Sequence, residues 1–283
     1  MHESVILAGA CTPGGDLFTG LGTVCTNVLE AIVIESALDR AQVCIADVDC
    51  LITGHTHARR TAHRACLPDR VPVISVSATG PCSLHPIALA DRLIRSGQRQ
   101  VVVVSGVDLA LAGPDRDEVG HTTPQRRAAA SGLVLPHDIA RALGPGALSG
   151  LGGRADCAVA VVLMRRTRAE RLGLPWLARV VSAPGTTGGP SPSSYQDAER
   201  AVGRALRRVP ARPPHLSLVR VGAQPADGPQ QEGPAPRRLF DTAGMRTALL
   251  LARVLARQGH GLIALGTWGD HPAEAVVVSC GAS

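Results

Sequence analysis

Apolar residues along this chain occur in short continuous runs that alternate with segments of helical periodicity. The runs are rich in valine, isoleucine and leucine, and they predict buried strands. The predicted strands span residues 4–10, 49–54, 71–77, 100–106, 155–166, 177–183, 215–222, 261–266 and 274–280. Strands that are apolar throughout need cover on both faces, so the pattern favours an α/β fold with helices on both sides of a sheet.

Four further segments have the apolar spacing of helices. They span residues 24–41, 82–96, 194–209 and 241–259. In the first of them, Leu29 and Val33 belong to a set of apolar residues at helical spacing, which predicts one buried face. Pro81 precedes the second helix at a position where a missing N–H costs nothing, and Gly97 closes that helix.

The predicted elements form two similar series, separated by a segment rich in glycine, proline and alanine. We therefore divide the chain into an N-terminal half (1–110), a shortened linker (111–154) and a C-terminal half (155–283). Within the linker, RRAAAS (126–131) is typical of the start of a helix. In the second half, the stretch 222–238 predicts an exposed loop because glycine, proline and polar residues dominate it.

Composition indicates a compact protein and excludes several kinds of partner. Apolar residues make up 45% and charged residues 18% of the 283 residues, as in globular chains. All 29 basic residues are arginine and the net charge is +6, but two Phe, two Trp and one Tyr provide few stacking platforms for nucleic acid. No apolar run reaches the roughly 18 residues of a membrane helix, and the first residues lack the features of a signal peptide. The eight cysteines are scattered without paired spacings, which is typical of reduced thiols in the cytoplasm. We therefore expect a cytoplasmic protein, and from the other features one that binds neither nucleic acid nor membrane.

Several segments resemble the thiolase-like superfamily, which comprises thiolases and β-ketoacyl synthases. VILAGACTPGG (5–15) resembles the first strand and turn of thiolases, and RADCAVAVVLMRR (154–166) resembles the segment that opens their second half. DTAGMRTALLLARVL (241–255) is similar to the family's Gly-Ala-Ser-Gly helix. The resemblance implies a five-layered αβαβα fold, an α/β architecture of two similar fused halves that is usually dimeric.

The resemblance also implies where the reactive side chains of such enzymes would lie, and this chain lacks them. The family's nucleophilic cysteine aligns with Gly80, in the turn before the second helix. A polar His or Asn aligns with Val221, the histidine before the last long helix with Arg238, and the late thiolase cysteine with Gly266. Condensing chemistry needs a thiolate at a helix N-terminus and donors for an oxyanion. The loss of four independently aligned side chains predicts a catalytically degenerate chain.

Cys82 and His85 leave an enzymatic alternative open. They lie three residues apart at the start of the second helix, which is the spacing of neighbours on one helix face, so His85 could support a thiolate at Cys82. Two residues along a helix rotate a side chain by about 200°, however, so Cys82 should point away from the direction that residue 80 would take. We therefore favour a packed thiol at Cys82, and we keep the pair as the candidate catalytic residues of an acyltransferase.

Neither a metal nor a cofactor is expected. The segment 54–66 contains potential zinc ligands, but no acidic ligand or second cluster accompanies them, so we interpret it as a loop with a short helix. These potential ligands are His55, His57, His63 and Cys66. In thiolases a long insertion between the halves holds coenzyme A, and the linker 111–154 is too short for such a cradle, so we expect no coenzyme A binding.

These features predict a non-catalytic subunit of the chain-length-factor type. Such a subunit pairs with an active ketosynthase or thiolase and shapes its acyl pocket in polyketide or fatty-acyl biosynthesis. In the family the strand that matches 71–77 pairs across the dimer axis, so we expect a homodimer or a heterodimer with an active thiolase-fold enzyme. An acyl carrier protein is a further candidate partner. The alternatives are a condensing or acyl-transfer enzyme that uses Cys82 and His85, and a structural homodimer.

Overall fold

The structure is a computed structural model, which describes most of the segments that the apolar pattern marks as strands or helices. The described residues are 2–11, 26–54, 58–76, 84–108, 130–134, 157–183, 193–209, 216–224, 237–239, 260–268 and 273–281. Gly80, Cys82 and the predicted helix 241–259 lie outside these ranges.

The described residues contain eleven strands and five α-helices. The strands are β1 (Ser4–Cys11), β2 (Cys50–Thr53), β3 (Val73–Ser75), β4 (Val101–Asp108), β5 (Ala130–Val134), β6 (Cys157–Arg165), β7 (Ala178–Ser182), β8 (Leu216–Gln224), β9 (Arg237–Leu239), β10 (His260–Trp268) and β11 (Glu274–Gly281). The helices are α1 (Thr26–Ala41), α2 (Ala58–Arg64), α3 (His85–Arg95), α4 (Arg166–Leu172) and α5 (Tyr195–Leu206), with a short 3-10 helix at Ile45–Asp47. None of these helices is long and apolar enough to cross a bilayer.

The described strands form one mixed sheet in the order β3-β2-β4-β6-β1-β7-β11-β10-β8-β5-β9. The two sides of the β1–β7 contact repeat each other. On one side, β2 and β4 are parallel, and β6 lies antiparallel between β4 and β1. On the other side, β8 and β10 are parallel, and β11 lies antiparallel between β10 and β7. The chain therefore contains the same arrangement of strands twice, as the resemblance implied.

Helix α3 lies between the two repeats. Its buried residues Ile87 and Ile94 belong to one apolar cluster with Ile6 of β1, Val180 of β7 and Val278 of β11. The outer faces of the sheet are covered separately, because α1 packs on β1, β4 and β6, and α5 packs on β10 and β11. The two halves of the sheet thus lie on either side of α3, and α1 and α5 cover their outer faces, so helices and sheet halves alternate in five layers.

Polar contacts fix α3 to both repeats. Asp91, which is almost fully buried, accepts a hydrogen bond from Ser4 Oγ of β1 at 2.5 Å, and Arg95 Nε donates to both of its carboxylate oxygens at 2.8 Å. Arg95 Nη2 donates to the carbonyl of Val180 in β7 at 2.8 Å. Burial raises the pKa of Asp91, and Ser4 and Arg95 oppose that shift. These bonds hold the helix in place from its C-terminal half.

Two sequence-based predictions, of a helix start at 126–131 and of a loop at 222–238, are wrong at their edges. β5 begins at Ala130, within the segment predicted to start a helix, and it pairs antiparallel with β8. The predicted loop 222–238 loses both ends, since β8 continues to Gln224 and β9 includes Arg237 and Arg238. Both short strands owe their existence to backbone pairing with a neighbour, and their side chains lack the apolar run that marks the other strands. The domain boundaries at 110 and 154 stay a prediction.

Candidate functional site

The N-terminus of α3 is the part of the resemblance-based site that the structure describes. The helix begins at His85, after the fully buried Leu84, and Pro86 occupies its first turn. The first N–H groups of a helix have no partner within the helix and carry the positive end of its dipole. Gly80 and Cys82, which precede this turn, lie outside the described residues. The geometry of the site is therefore described from the start of α3 at His85 onwards.

Glu274 of β11 supplies an acceptor for this helix N-terminus from the second repeat. Its Oε2 atom accepts a hydrogen bond from the backbone N–H of His85 at 2.9 Å, and its side chain is only 2% exposed. An acidic group in this position is stabilised by the helix dipole and completes the hydrogen bonding of the first turn. The sequence analysis missed Glu274. Its signal was an acidic residue at the start of an otherwise apolar strand.

The imidazole of His85 lies beside the same carboxylate. Its Nδ1 atom is 3.6 Å from Glu274 Oε1, which is longer than a hydrogen bond, and its side chain is 22% exposed. Burial lowers the pKa of His85, and the nearby charge of Arg92 lowers it further. The contact therefore joins a neutral imidazole to the carboxylate at neutral pH, and it is not an ion pair under those conditions.

The sheet brings a second predicted position to the same level. Glu274 pairs with Thr267 of β10, and Thr267 pairs with Val221 of β8. This row of register partners continues to Leu133 of β5 and Arg237 of β9. Directly paired residues share a face of a sheet, so Thr267 lies on the face of Glu274, and it is only 3% exposed. Val221, the position where the family has a polar side chain, thus occupies the register row of Thr267 and Glu274.

Arg238 lies one position away from this row. It pairs with Gly132 of β5, which in turn pairs with Gly222 of β8. Because successive residues of a strand alternate between faces, Arg238 and Val221 belong to rows of opposite orientation. The structure therefore places Val221 and Arg238 on the two strands that flank β5, but not in one row.

Gly266 faces the outer helix and has no space for a side chain. A Cβ atom at this position would lie 2.7 Å from Val202 Cγ2 and 3.5 Å from the carbonyl oxygen of Ala198, and both residues belong to α5. Its neighbour Leu265 belongs to the central cluster around α3. A cysteine at 266 would thus point towards α5, on the face opposite to Glu274 and α3.

The potential zinc ligands are only partly described. His55 and His57 lie outside the described residues, His63 lies in α2, and Cys66 follows that helix as an exposed free thiol. Among the described residues, no group of three or more His, Cys, Asp or Glu side chains could hold a metal ion. The absence of a metal site stays a prediction.

Comparisons with known proteins agree with this geometry. The model of the family described as thiolase, N-terminal domain, matches residues 4–143. A probable acetyl-CoA acetyltransferase of Mycobacterium tuberculosis is 26% identical over 78% of this chain and 80% of that protein. A protein of the same description from Mycolicibacterium smegmatis is 24% identical over 91% of this chain and 95% of its own.

Solved structures show the same fold. Human mitochondrial 3-ketoacyl-CoA thiolase in complex with CoA superposes with a TM-score of 0.68 at 15% identity, over 99% of this chain and 98% of that chain. The acetyl-CoA acetyltransferase of Syntrophomonas wolfei superposes with a TM-score of 0.64 at 16% identity, over 99% and 100% of the two chains. The duplicated strand order, the central helix between two repeats and these matches lead to one assignment. This chain is a member of the thiolase-like superfamily, with the α/β fold of that superfamily.

Proposed function

We propose that this chain is a non-catalytic thiolase-fold subunit that pairs with an active ketosynthase or thiolase. In this role it shapes the acyl pocket of its partner in polyketide or fatty-acyl biosynthesis. The observation that carries the proposal is the buried carboxylate of Glu274, which accepts the backbone N–H of His85 at the start of α3. The resemblance assigns the nucleophile of a condensing enzyme to the turn before this helix.

A carboxylate in this place opposes condensing chemistry in two ways. A thiolate or oxyanion that formed about 4 Å from Glu274 would be repelled by about 4 kcal/mol at an effective dielectric constant of about 20. The carboxylate also uses the N–H of His85, one of the donors that an oxyanion at this helix terminus would need. The protein thus has its own anion at the position where the reaction requires another.

The remaining resemblance-based positions support the proposal. Val221 and Gly266 carry no group that can accept or donate a proton, and a guanidinium such as that of Arg238 stays protonated and cannot act as a base. A side chain at Gly266 would contact Val202 of α5, on the face opposite to α3, so it would not reach the start of α3. Every one of these changes removes a reagent while the strands that hold the positions persist.

A second candidate function is an acyltransferase or condensing enzyme that uses Cys82 and His85. Two observations favour it. Relatives that align with most of this chain are described as probable acetyl-CoA acetyltransferases. The lowered pKa of His85 also leaves its imidazole neutral near pH 7, which is the form that accepts a proton from a thiol.

The edge of the sheet supports a role in a dimer. β3 is the last strand on its side of the described sheet, and it pairs with β2 alone. An open strand edge favours pairing with another chain, and a partner strand would cover it. In the proposed complex this edge meets the same strand of an active thiolase-fold enzyme.

The proposal places the protein in the cytosol and includes no coenzyme A or other cofactor. Free thiols fit that compartment, and the described residues contain four of them, Cys11, Cys44, Cys50 and Cys66.

The proposal is tested by acylation and by association. Purified protein is incubated with acetyl-CoA and with longer acyl thioesters, and intact mass is measured for the unaltered chain and for Cys82→Ser. We expect no covalent adduct in either sample. An acyl adduct on Cys82 that Cys82→Ser abolishes would replace the subunit role with the enzymatic one.

In a second arm the chain is co-expressed with each thiolase-fold enzyme of its source genome, and the mass of purified complexes is measured in solution. We expect a stable heterodimer with one of them and a change in the acyl chain length that the partner accepts. A homodimer that ignores every such enzyme would support the structural alternative and contradict the subunit role.

A further inference from the structure

A cavity of about 330 Å³ lies at the edge of the sheet opposite to the candidate functional site. It is lined by residues 46–49 before β2, by 70–72 before β3, by Arg99 before β4, and by Arg168 of α4. β2, β3 and β4 are parallel, so the first three groups mark the amino ends of these strands. Helix α3 follows β3 and begins at the other end. The cavity is therefore separate from His85 and Glu274.

Both acidic side chains of the cavity already have partners. Asp47 Oδ1 accepts a hydrogen bond from Arg168 Nη2 at 2.7 Å. The carboxylate of Asp49 accepts the backbone N–H groups of Gln100 at 2.8 Å and Val101 at 3.3 Å, so it is occupied in holding the start of β4. Among the described residues, neither carboxylate forms an ion pair with Arg70 or Arg99.

The other two arginines of the cavity have no carboxylate partner among the described residues. Arg70 Nη2 donates to the carbonyl of Ala46 at 2.6 Å, and Arg99 Nη1 donates to the carbonyl of Gln98 at 3.3 Å. A guanidinium has five N–H donors, so Arg70 keeps most of its donors for a ligand in the cavity. Arg99 also interacts with the thiol of Cys50, and it keeps several donors. The balance of charge in the lining is positive, because three arginines face two aspartates.

We propose that this cavity binds the phosphate or diphosphate end of a small molecule, with Arg70 and Arg99 as its principal donors. Planar guanidinium groups match phosphate oxygens in a bidentate way. A phosphate ester carries a charge of about −2 near neutral pH and three acceptor oxygens, whereas a single carboxylate offers one charge and two oxygens. The volume is at the lower end of the range for small-molecule sites, which is about 300–1,000 Å³. This inference does not depend on the function proposed above.

The first test measures binding of pyrophosphate and of inorganic phosphate to the full chain by isothermal titration calorimetry. We expect saturable binding of one pyrophosphate per chain, tighter than phosphate, with an affinity that falls as salt is added. Arg70→Ala and Arg99→Ala should each weaken it at least tenfold, since each removes charge-assisted hydrogen bonds. The matched control is Arg171→Ala, because Arg171 belongs to the same helix as Arg168 but is exposed and donates only to the carbonyl of Thr167. It should leave the affinity unchanged.

A second variant tests the site by a gain of binding. Asp47→Asn removes a negative charge from the lining and releases Arg168, so it should tighten pyrophosphate binding several-fold. A variant that only damaged the fold could not produce that result. The proposal is overturned if pyrophosphate does not bind, if Arg171→Ala weakens binding as much as Arg99→Ala does, or if Asp47→Asn weakens it. Succinate serves as the dicarboxylate probe, and binding as tight as that of pyrophosphate would contradict the phosphate assignment.

Discussion

Gly266 provides a direct test of whether this chain could ever have carried the late thiolase cysteine in its present structure. We consider the substitution Gly266→Ala, which adds only the Cβ atom that a cysteine would also need. That atom would lie 2.7 Å from Val202 Cγ2 and 3.5 Å from the carbonyl oxygen of Ala198 in α5. Ordinary carbon–carbon contacts are about 3.5–4.0 Å, so either the valine or the helix must move.

Two effects of opposite sign decide the outcome. Replacing a glycine within a strand by alanine reduces the conformational freedom of the unfolded chain and stabilises by about 0.4–1 kcal/mol where the side chain fits. Overpacking a buried site costs about 1–3 kcal/mol. Val202 is β-branched and lies within α5, where such side chains have one strongly preferred rotamer, so it cannot simply rotate away. We therefore expect Gly266→Ala to lower the free energy of unfolding by about 1–2 kcal/mol.

The measurement is a double-mutant cycle by urea unfolding. Val202→Ala alone should destabilise by about 2 kcal/mol, because it removes two buried methyl groups and leaves a cavity. In the double variant the new Cβ occupies that space, so the two losses should not add, and the coupling should be at least about 1 kcal/mol. Gly203→Ala is the control. Its Cβ would meet only Arg207 Nη1 at 3.8 Å, so this change within α5 should stabilise.

A neutral or stabilising Gly266→Ala would refute the reasoning, as would losses that add in the double variant. Either result would mean that position 266 has room for a side chain and that the absent cysteine says nothing about the space around it.

Three further predictions concern the start of α3 and the edge of the sheet. Glu274→Ala should lower the free energy of unfolding by about 1–3 kcal/mol because it removes the acceptor of the His85 N–H. Glu274→Gln keeps an acceptor and should cost less, so equal losses in urea unfolding would contradict the assigned hydrogen bond. The pKa of His85 measured by NMR should lie below 6.5. Because the unfolded state then binds the proton more readily, the free energy of unfolding should fall as pH drops from about 6.5 towards the pKa of the folded state. His85→Gln should show a smaller fall. Val73→Pro should weaken dimer formation far more than Val73→Ala in light-scattering measurements. Towards β2, the carbonyl of Pro72 accepts the N–H of Leu51, and the N–H of Val76 donates to the carbonyl of Thr53. This alternation directs the N–H of Val73 away from β2, towards the open edge, where proline would remove it. Dimers of equal strength in the two variants would exclude this edge as the interface.

Much of the fold could be predicted from the sequence because its strands are apolar throughout. β4 consists largely of valine, and β6 is apolar from Ala158 to Met164. Each strand is covered on both faces, so the side chains alone identify them. Helix α1 was predictable for a similar reason, since Leu29, Val33 and Leu38 recur at helical spacing and are buried. Ile32, which belongs to the same predicted set, is 49% exposed, so that part of the prediction is wrong. A strand or helix that is stabilised by burial of its side chains can therefore be predicted from the spacing of its apolar residues.

The polar contacts could not be predicted in the same way. Glu30 lies within the apolar helix α1, yet it is fully buried and accepts hydrogen bonds from the hydroxyl groups of Thr53, Thr61 and Ser105. Glu274 is 189 positions from its partner His85 along the chain, and the two belong to different halves of the sequence. A sequence shows that a polar residue interrupts an apolar run, but the identity of its partner depends on which strands and helices become neighbours.

The contacts of α3 hold this helix in place independently of the positions that the resemblance assigns to catalysis. The helix is held at one end by Asp91 and Arg95, which bond to β1 and β7, and at the other end by Glu274 of β11. Neither set of contacts uses a position that the resemblance assigns to catalysis. Because removing a buried partner costs about 1–3 kcal/mol, selection for a stable fold preserves these contacts even when no reaction depends on them. The carboxylate of Glu274 also stabilises α3 through its attraction to the positive end of the helix dipole. A catalytic anion at this helix N-terminus would depend on the same attraction. Under the proposed function, stability and condensing chemistry compete for the start of α3, and the buried position of Glu274 favours stability.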